Sequence, residues 1–157
     1  KGYEEGYWYP ADATKSHSTW ISNGYIKKSI QYLSKKVRNI LLISDACFSG
    51  GILKMRGNTL LPQNSEDKYK SNKELYFKSS CKAMTSGAMS PVDDKSVFFQ
   101  SIIHSLKNHN EPWLSSRKLH SGIQEYVISE SKNTQTPQFG TLLQASDEGG
   151  DFIFIKK

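Results

Sequence analysis

The sequence is poor in the residues that build covalent or metal-held frameworks. It has only two cysteines, Cys47 and Cys81, among its 157 residues. Two cysteines form at most one disulfide, and they do not make the repeated pairs that bind zinc. We therefore expect no disulfide framework, no metal site and no cofactor. A reducing, cytoplasmic setting is the simplest expectation for both thiols.

Long apolar runs are also missing. No stretch reaches the roughly 20 apolar residues that cross a bilayer, and hydrophobic residues make up 36% of the chain. The net charge of +6 is spread along the chain, without the basic stripe of a nucleic-acid-binding domain. The sequence therefore predicts neither a membrane nor a nucleic-acid partner. The chain begins at Lys1 rather than at Met, which leaves open whether a targeting segment precedes it.

The sequence does contain an apolar run that ends in a cysteine. Residues 40–51 are four aliphatic residues, a serine, Asp45, Cys47 and small residues up to Gly51. The aliphatic run is too short for a typical helix, and the two glycines after the cysteine interrupt the pattern. A strand here would place Cys47 in the crevice where open α/β sheets bind ligands. From these residues alone, a buried and unreactive cysteine is equally open.

Helical and strand-like segments alternate along the chain. Apolar spacing and capping residues predict helices from about Ser22 or Asn23, from Asp67 to Lys78, from Lys95 to Asn108 and from Ser115 or Ser116. The first helix should bury Ile26, Ile30 and Leu33. Further strands are expected over residues 81–86, 139–143 and 152–155. This alternation predicts a three-layer α/β fold.

The segment Asp45-Ala46-Cys47-Phe48-Ser49-Gly50 resembles the nucleophile motif of the caspase-like cysteine peptidases. It is closer to the metacaspase and bacterial type than to the animal caspases, which carry Gln two residues before the Cys. Three further stretches are similar to family segments and occur in the same order: residues 6–13, residues 84–87, and residues 135–140 with 148–152. Together they span almost the whole chain.

The resemblance implies a caspase-like fold with a mostly parallel central sheet, whose N-terminal strands are missing from this chain. The chain would be the C-terminal part of one catalytic domain. Residues 1–53 would carry the nucleophile, residues 54–80 would form a linker, and residues 81–157 would be the part that resembles the small subunit. Activating cleavage in this family often falls in that linker, so autoprocessing is expected there.

The resemblance also implies a role for individual residues. Cys47 would be the nucleophile, and Asp45 would line a pocket that selects Lys or Arg. The substrate-pairing strand, with Ser86 helping to line the pocket, would be Met84, Thr85, Ser86 and Gly87. Considered without the family, Asp45 is also typical of a strand end that caps the next turn. Asp93 and Asp94 are the runner-up acids.

The resemblance also requires a histidine that acts as the general base for the cysteine, and the sequence offers no match for it. The sequence has no His-Gly pair, and the family's catalytic histidine closely precedes the stretch that resembles residues 6–13. The resemblance therefore places the base, and one oxyanion donor with it, ahead of Lys1. His17 lies in a Ser-His-Ser loop without the strand and glycine that present a base. His104, His109 and His120 come after the cysteine, where surface or packing roles are the expectation.

These features predict a cysteine endopeptidase that cleaves after Lys or Arg through a Cys-His dyad, and that is inactive as this isolated segment. Its partners would be a protein or peptide substrate, the N-terminal segment with the histidine, and flanking regulatory domains. The main alternative is a catalytically inactive caspase-like interaction or regulatory module. A flavodoxin-type domain is disfavoured, because no glycine-rich phosphate loop occurs.

Overall fold

The computed structural model describes residues 6–45, 68–87, 96–132, 134–142 and 145–156. The strands are β1 (Tyr7–Trp8), β2 (Ile21–Ser22), β3 (Asn39–Ser44), β4 (Ser80–Thr85), β5 (Trp113–Ser115), β6 (Gln138–Thr141) and β7 (Ile153–Ile155). The helices are α1 (Asn23–Ser34), α2 (Lys68–Phe77), α3 (Val97–Asn108) and α4 (Ser116–Glu130). Cys47, Asp93 and Asp94 lie outside the described residues, as do residues 54–67 of the predicted linker.

The main sheet is formed by three strands in the order β3-β4-β6. Strands β3 and β4 are parallel, with Ser44 opposite Thr85, whereas β6 runs antiparallel to β4 with Phe139 opposite Met84. Two shorter antiparallel pairs, β1 with β2 and β5 with β7, complete the described strands. The prediction of a mixed α/β fold is confirmed. A mostly parallel sheet is not confirmed, since one of the two main pairings is antiparallel.

Helices pack on both faces of this sheet. Side chains alternate along β4, so Met84 points to one face while Cys81 and Ala83 point to the other. The first face meets α3 and α4 in a core of Met84, Phe98, Ile102, Leu114, Leu119, Ile123 and Val127. The second face meets α1 in a smaller core of Ile30, Cys81, Ala83 and Leu142. Strand β4 is therefore buried from Ser80 to Thr85.

Serine side chains begin three of the helices. Ser22, Ser96 and Ser115 each accept a hydrogen bond from the backbone N–H three residues later, which satisfies an N–H group that the first turn leaves unpaired. The predicted starts at Ser22 and Ser115 are therefore confirmed, whereas α3 begins at Val97, two residues after the predicted Lys95. Helix α2 occupies the second half of the predicted linker. Leu33 differs from expectation, since it is 45% exposed and belongs to neither core.

Strand β3 lies at one edge of the sheet among the described strands. Its residues Ile40, Leu41 and Leu42 are only partly buried, and Ile43 is 36% exposed. An aliphatic run of this kind is typical of a strand covered on both faces. In the part of the chain that the structure describes, no helix is both long and apolar enough to span a membrane.

Candidate active site

The carboxyl ends of β3 and β4 bring two predicted site residues together. Asp45 comes directly after β3, and Ser86 directly after β4. The parallel ladder continues by one bond beyond the strands, because the Ser86 N–H donates to the carbonyl oxygen of Ser44 over 3.2 Å. The register that pairs Ser44 with Thr85 therefore sets Asp45 beside Ser86. This edge is where α/β sheets place their ligands.

Both side chains carry a buried oxygen that has no partner. Asp45 Oδ1 and Ser86 Oγ are enclosed, and neither makes a hydrogen bond within the described residues. Leaving such a group unsatisfied costs about 1–3 kcal/mol, so a buried orphan of this kind requires an explanation, and a role in binding or catalysis is one. A carboxylate oxygen accepts hydrogen bonds, and a hydroxyl both donates and accepts. The pair is suited to a ligand that brings N–H donors and positive charge.

The predicted substrate-pairing strand is already paired along most of its length. Met84 and Thr85 face β3 on one side and β6 on the other, so their backbone groups offer no open edge. The Met84 side chain is fully buried in the larger core. A substrate strand could therefore not pair with Met84 or Thr85. Of the four predicted substrate-pairing residues, Ser86 and Gly87 remain candidates. Sequence reasoning missed this because the neighbour β6 lies more than 50 residues further along the chain.

Gly87 is held in a conformation that only glycine adopts readily. Its φ angle is +77°, in the left-handed region. A Cβ atom added there would overlap the carbonyl oxygen of Thr136, so no larger residue fits without a shift of the backbone. The backbone of Thr136 therefore packs directly against the end of the candidate site.

A half-buried histidine contacts the residues that follow Thr136 and holds them in place. His120 on α4 hydrogen-bonds through Nε2 to the carbonyl oxygen of Pro137 over 3.1 Å, and its ring stacks on Phe139 at 5.5 Å. A carbonyl oxygen can only accept, so Nε2 carries the proton. Burial lowers the pKa of His120, against the opposing effect of the Pro137 hydrogen bond. The ring is thus neutral at pH 7 and serves to hold the segment beside Gly87.

The other histidines also have local partners. His17 stacks on Trp20, with ring centroids 4.2 Å apart, in an aromatic cluster that includes Tyr7. His104 contacts Asn108, and the His109 ring lies 3.2 Å from the carbonyl oxygen of Trp113. Within the described residues, no hydrogen bond joins any of these rings to Asp45 Oδ1 or Ser86 Oγ.

Two buried ionic side chains, Lys82 and Asp151, were not predicted from the sequence. Lys82 Nζ lies 2.9 Å from Asp147 Oδ2 and 3.0 Å from Thr141 Oγ1. Asp151, fully buried, accepts hydrogen bonds from the Ser116 hydroxyl and from the backbone N–H groups of Arg117 and Phe152. Burial raises the pKa of Asp151, and these bonds oppose that rise. Neither group carries a local sequence signal, because the side-chain partners, Asp147 of Lys82 and Ser116 of Asp151, are more than 30 positions away.

A metal cluster or a cavity elsewhere in the described part of the chain would be another candidate site. Among the described ranges, no three His, Cys, Asp or Glu side chains are grouped in a way that could hold a metal ion. An open groove of about 570 Å³ lies on the outside of α2, lined by Lys73, Glu74, Phe77 and Lys78. None of its lining residues belongs to the strand ends.

The comparison with protein families identifies the class of protein. The caspase domain family matches residues 1–145, which is most of the chain. No curated protein and no solved structure matches. The chain belongs to the caspase domain family of peptidases. Membership indicates cysteine peptidase chemistry, a hydrolase reaction, and protein substrates.

The two thiols should differ sharply in reactivity. Cys81 is fully buried, and burial, followed by the Asp147 carboxylate, raises the pKa of its thiol to about 11. At pH 8 only about one Cys81 in a thousand would be the reactive thiolate. We expect iodoacetamide and an electrophilic Arg peptide to modify Cys47 in the native protein and to spare Cys81. Peptide mapping measures this, with both thiols labelled in urea as the control. Labelling of Cys81 before Cys47 would contradict the assignment.

Proposed function

We propose that this protein is a cysteine endopeptidase that cuts polypeptides after Lys or Arg, with Cys47 as nucleophile. The observation that carries the specificity is that Asp45 Oδ1 and Ser86 Oγ are both buried and unsatisfied, on residues that directly follow two paired strands. A lysine ammonium or arginine guanidinium would satisfy both by donating to them. A neutral side chain would leave the Asp45 carboxylate desolvated and unpaired.

In the proposed reaction, the Cys47 thiolate attacks the carbonyl carbon of the bond that lies after the bound Lys or Arg. The amine of the departing segment takes a proton from the base and leaves, so that the acyl group is joined to sulfur as a thioester. Water, deprotonated by the same base, then hydrolyses the thioester and restores the thiol. The Cys47 backbone N–H would be one donor to the oxyanion formed in both steps.

The proposed base is a histidine ahead of Lys1, as the family pattern implies. Two features support this placement. The four histidines within the chain each contact a local partner. In addition, the aliphatic strand β3 has an uncovered edge among the described strands, which upstream strands of the domain would pair.

The test uses the full-length gene product that contains residues 1–157. Fluorogenic peptides with Arg, Lys, Leu or Asp before the scissile bond should show turnover for Arg and Lys alone. Cys47→Ala should abolish it and so exclude a contaminating protease. Turnover after Asp or Leu instead would contradict the proposed specificity. A folded full-length protein that cleaves none of the four would instead support the inactive interaction module.

Residues 1–157 expressed without any upstream chain should have no peptidase activity. Losing one oxyanion donor alone lowers the rate by about 10²–10³, and loss of the base leaves the Cys47 thiol largely protonated. We also expect poorer solubility than for the longer protein, because the apolar edge of β3 stays uncovered. Turnover of an Arg peptide and thermal unfolding of the two proteins give the comparison. An active, cooperatively folded 157-residue protein would refute this prediction and make His17 the next candidate base.

A further inference from the structure

The positive charge of this chain is concentrated in one segment, contrary to the scattered distribution expected from the whole sequence. Residues 13–44 contain no carboxylate and six basic residues: Lys15, Lys27, Lys28, Lys35, Lys36 and Arg38. This segment alone accounts for the net charge of +6, so the basic and acidic residues of the rest are balanced. Five of the six cations lie on α1 or within four residues of its end.

The outward face of α1 alternates tyrosine with lysine. Tyr25, Lys28, Tyr32 and Lys35 occur at successive spacings of three and four residues, so they share one side of the helix. Tyr25 is 64% exposed and Tyr32 is 59% exposed. The opposite side carries the buried residues of α1, Asn23 and Ile30. We call the four outward residues the Tyr-Lys face.

Neighbouring residues extend the Tyr-Lys face without neutralising it. The Lys36 ammonium lies 4.4 Å from the centroid of the Tyr32 ring and adds a further cation beside this face. The ion pairs of the described residues are formed elsewhere, by Lys82, Arg117 and Lys118. Positive charge and apolar surface therefore remain available together.

We propose that the Tyr-Lys face docks the protein onto an anionic lipid bilayer. Basic residues are drawn to anionic headgroups. Lysine stems and tyrosine rings are amphipathic, which suits them to the boundary between headgroups and acyl chains. This surface contact by a folded helix departs from the prediction of no membrane partner, which considered only long apolar runs and the charge of the whole chain. The proposal does not rest on the proposed function, since vesicle binding uses neither Cys47 nor Asp45.

Other anionic partners fit the same face less well. An extended acidic peptide needs a groove or an open strand edge, whereas the outside of a helix is convex. Nucleic-acid recognition favours arginine for bidentate phosphate contacts, and the one arginine of this segment, Arg38, lies over the Phe77 ring at 5.3 Å.

The experiment measures co-sedimentation of the full-length gene product with vesicles, either of phosphatidylcholine alone or of phosphatidylcholine mixed with phosphatidylserine. We expect binding to the mixed vesicles only, and weaker binding as salt is raised. Lys28→Gln with Lys35→Gln should weaken the binding by about 30-fold. The matched control, Lys107→Gln with Lys132→Gln, removes two lysines elsewhere on the surface and should bind as the parent does. Equal loss in both variants, or no binding to mixed vesicles, would overturn the proposal.

A second variant separates the tyrosines from the charge. Tyr25→Ser with Tyr32→Ser keeps every lysine and should weaken vesicle binding while leaving the Tm nearly unchanged. A large fall in Tm would mean that the rings are covered within the full-length protein, which would overturn the proposal. Binding to poly-glutamate or to a single-stranded oligonucleotide, without binding to phosphatidylserine vesicles, would also overturn it and assign the face to that partner.

Discussion

Replacement of Asp45 by alanine is expected to lower kcat/KM on an Arg peptide by about 30-fold to several thousand-fold. Removing one partner of a buried, hydrogen-bonded charge pair costs about 2–5 kcal/mol, and that range converts to this loss of transition-state binding. The fold should tolerate the change. Asp45 Oδ1 has no hydrogen-bond partner among the described residues, so its removal leaves no described donor unsatisfied.

Two controls make the Asp45 result specific to charge. Asp45→Asn keeps the shape of the side chain and should lose nearly as much activity, while Asp12→Asn, at an exposed acid, should lose none. The parent enzyme should also prefer arginine to its neutral isostere citrulline, and Asp45→Asn should erase that preference. Unchanged kinetics on an Arg peptide would place the acid elsewhere, with Asp93 and Asp94 next to be tested.

Replacement of Asp147 by alanine is expected to lower the free energy of unfolding by about 3–5 kcal/mol, because it leaves the Lys82 ammonium buried without its counter-ion. The Lys82 side chain is 4% exposed and that of Asp147 is 12% exposed. Asp147 also accepts hydrogen bonds from the backbone N–H groups of Cys81, over 2.8 Å, and of Gly149, over 3.0 Å. Urea denaturation of the full-length protein measures the loss.

An exposed ion pair on the surface serves as the control for the buried pair of Lys82 and Asp147. Lys118 and Glu111 are the same 2.9 Å apart but 46% and 41% exposed, so Glu111→Ala should cost no more than about 1 kcal/mol. Adding Lys82→Met to Asp147→Ala should restore part of the stability, because the buried charge is removed while the Cys81 N–H still lacks its acceptor. If Asp147→Ala cost no more than Glu111→Ala, the Lys82 ammonium would have to reach water in solution.

The local features of this fold were predictable from the sequence. Ser22 and Ser115 begin helices, as predicted, because each supplies a side-chain oxygen to an unpaired N–H three residues ahead. The aliphatic run before Asp45 and the segment before Gly87 form strands as expected. These predictions succeed because capping and apolar periodicity depend on residues only a few positions apart.

The arrangement of the candidate site was predictable in part. Asp45 and Ser86 were named as pocket residues from their motifs, and the ladder between β3 and β4 places them side by side. The same motif suggested an open strand at Met84 and Thr85, which is wrong for these two residues because β6 occupies the remaining edge. Strand pairing is decided by residues distant in sequence, which a motif does not contain.

By itself, the sequence determined the four main helices, the strands of the main sheet, the candidate nucleophile Cys47 and the net positive charge. Only the tertiary structure decided which distant groups meet, such as Lys82 with Asp147 and the Thr136 carbonyl with Gly87, and that Tyr25 and Tyr32 stay exposed on α1. The physical reason is the range of the interactions. Helix caps and periodicity act within one or two turns, whereas burial, ion pairing and orphaned polar atoms depend on the packing of segments far apart in the chain.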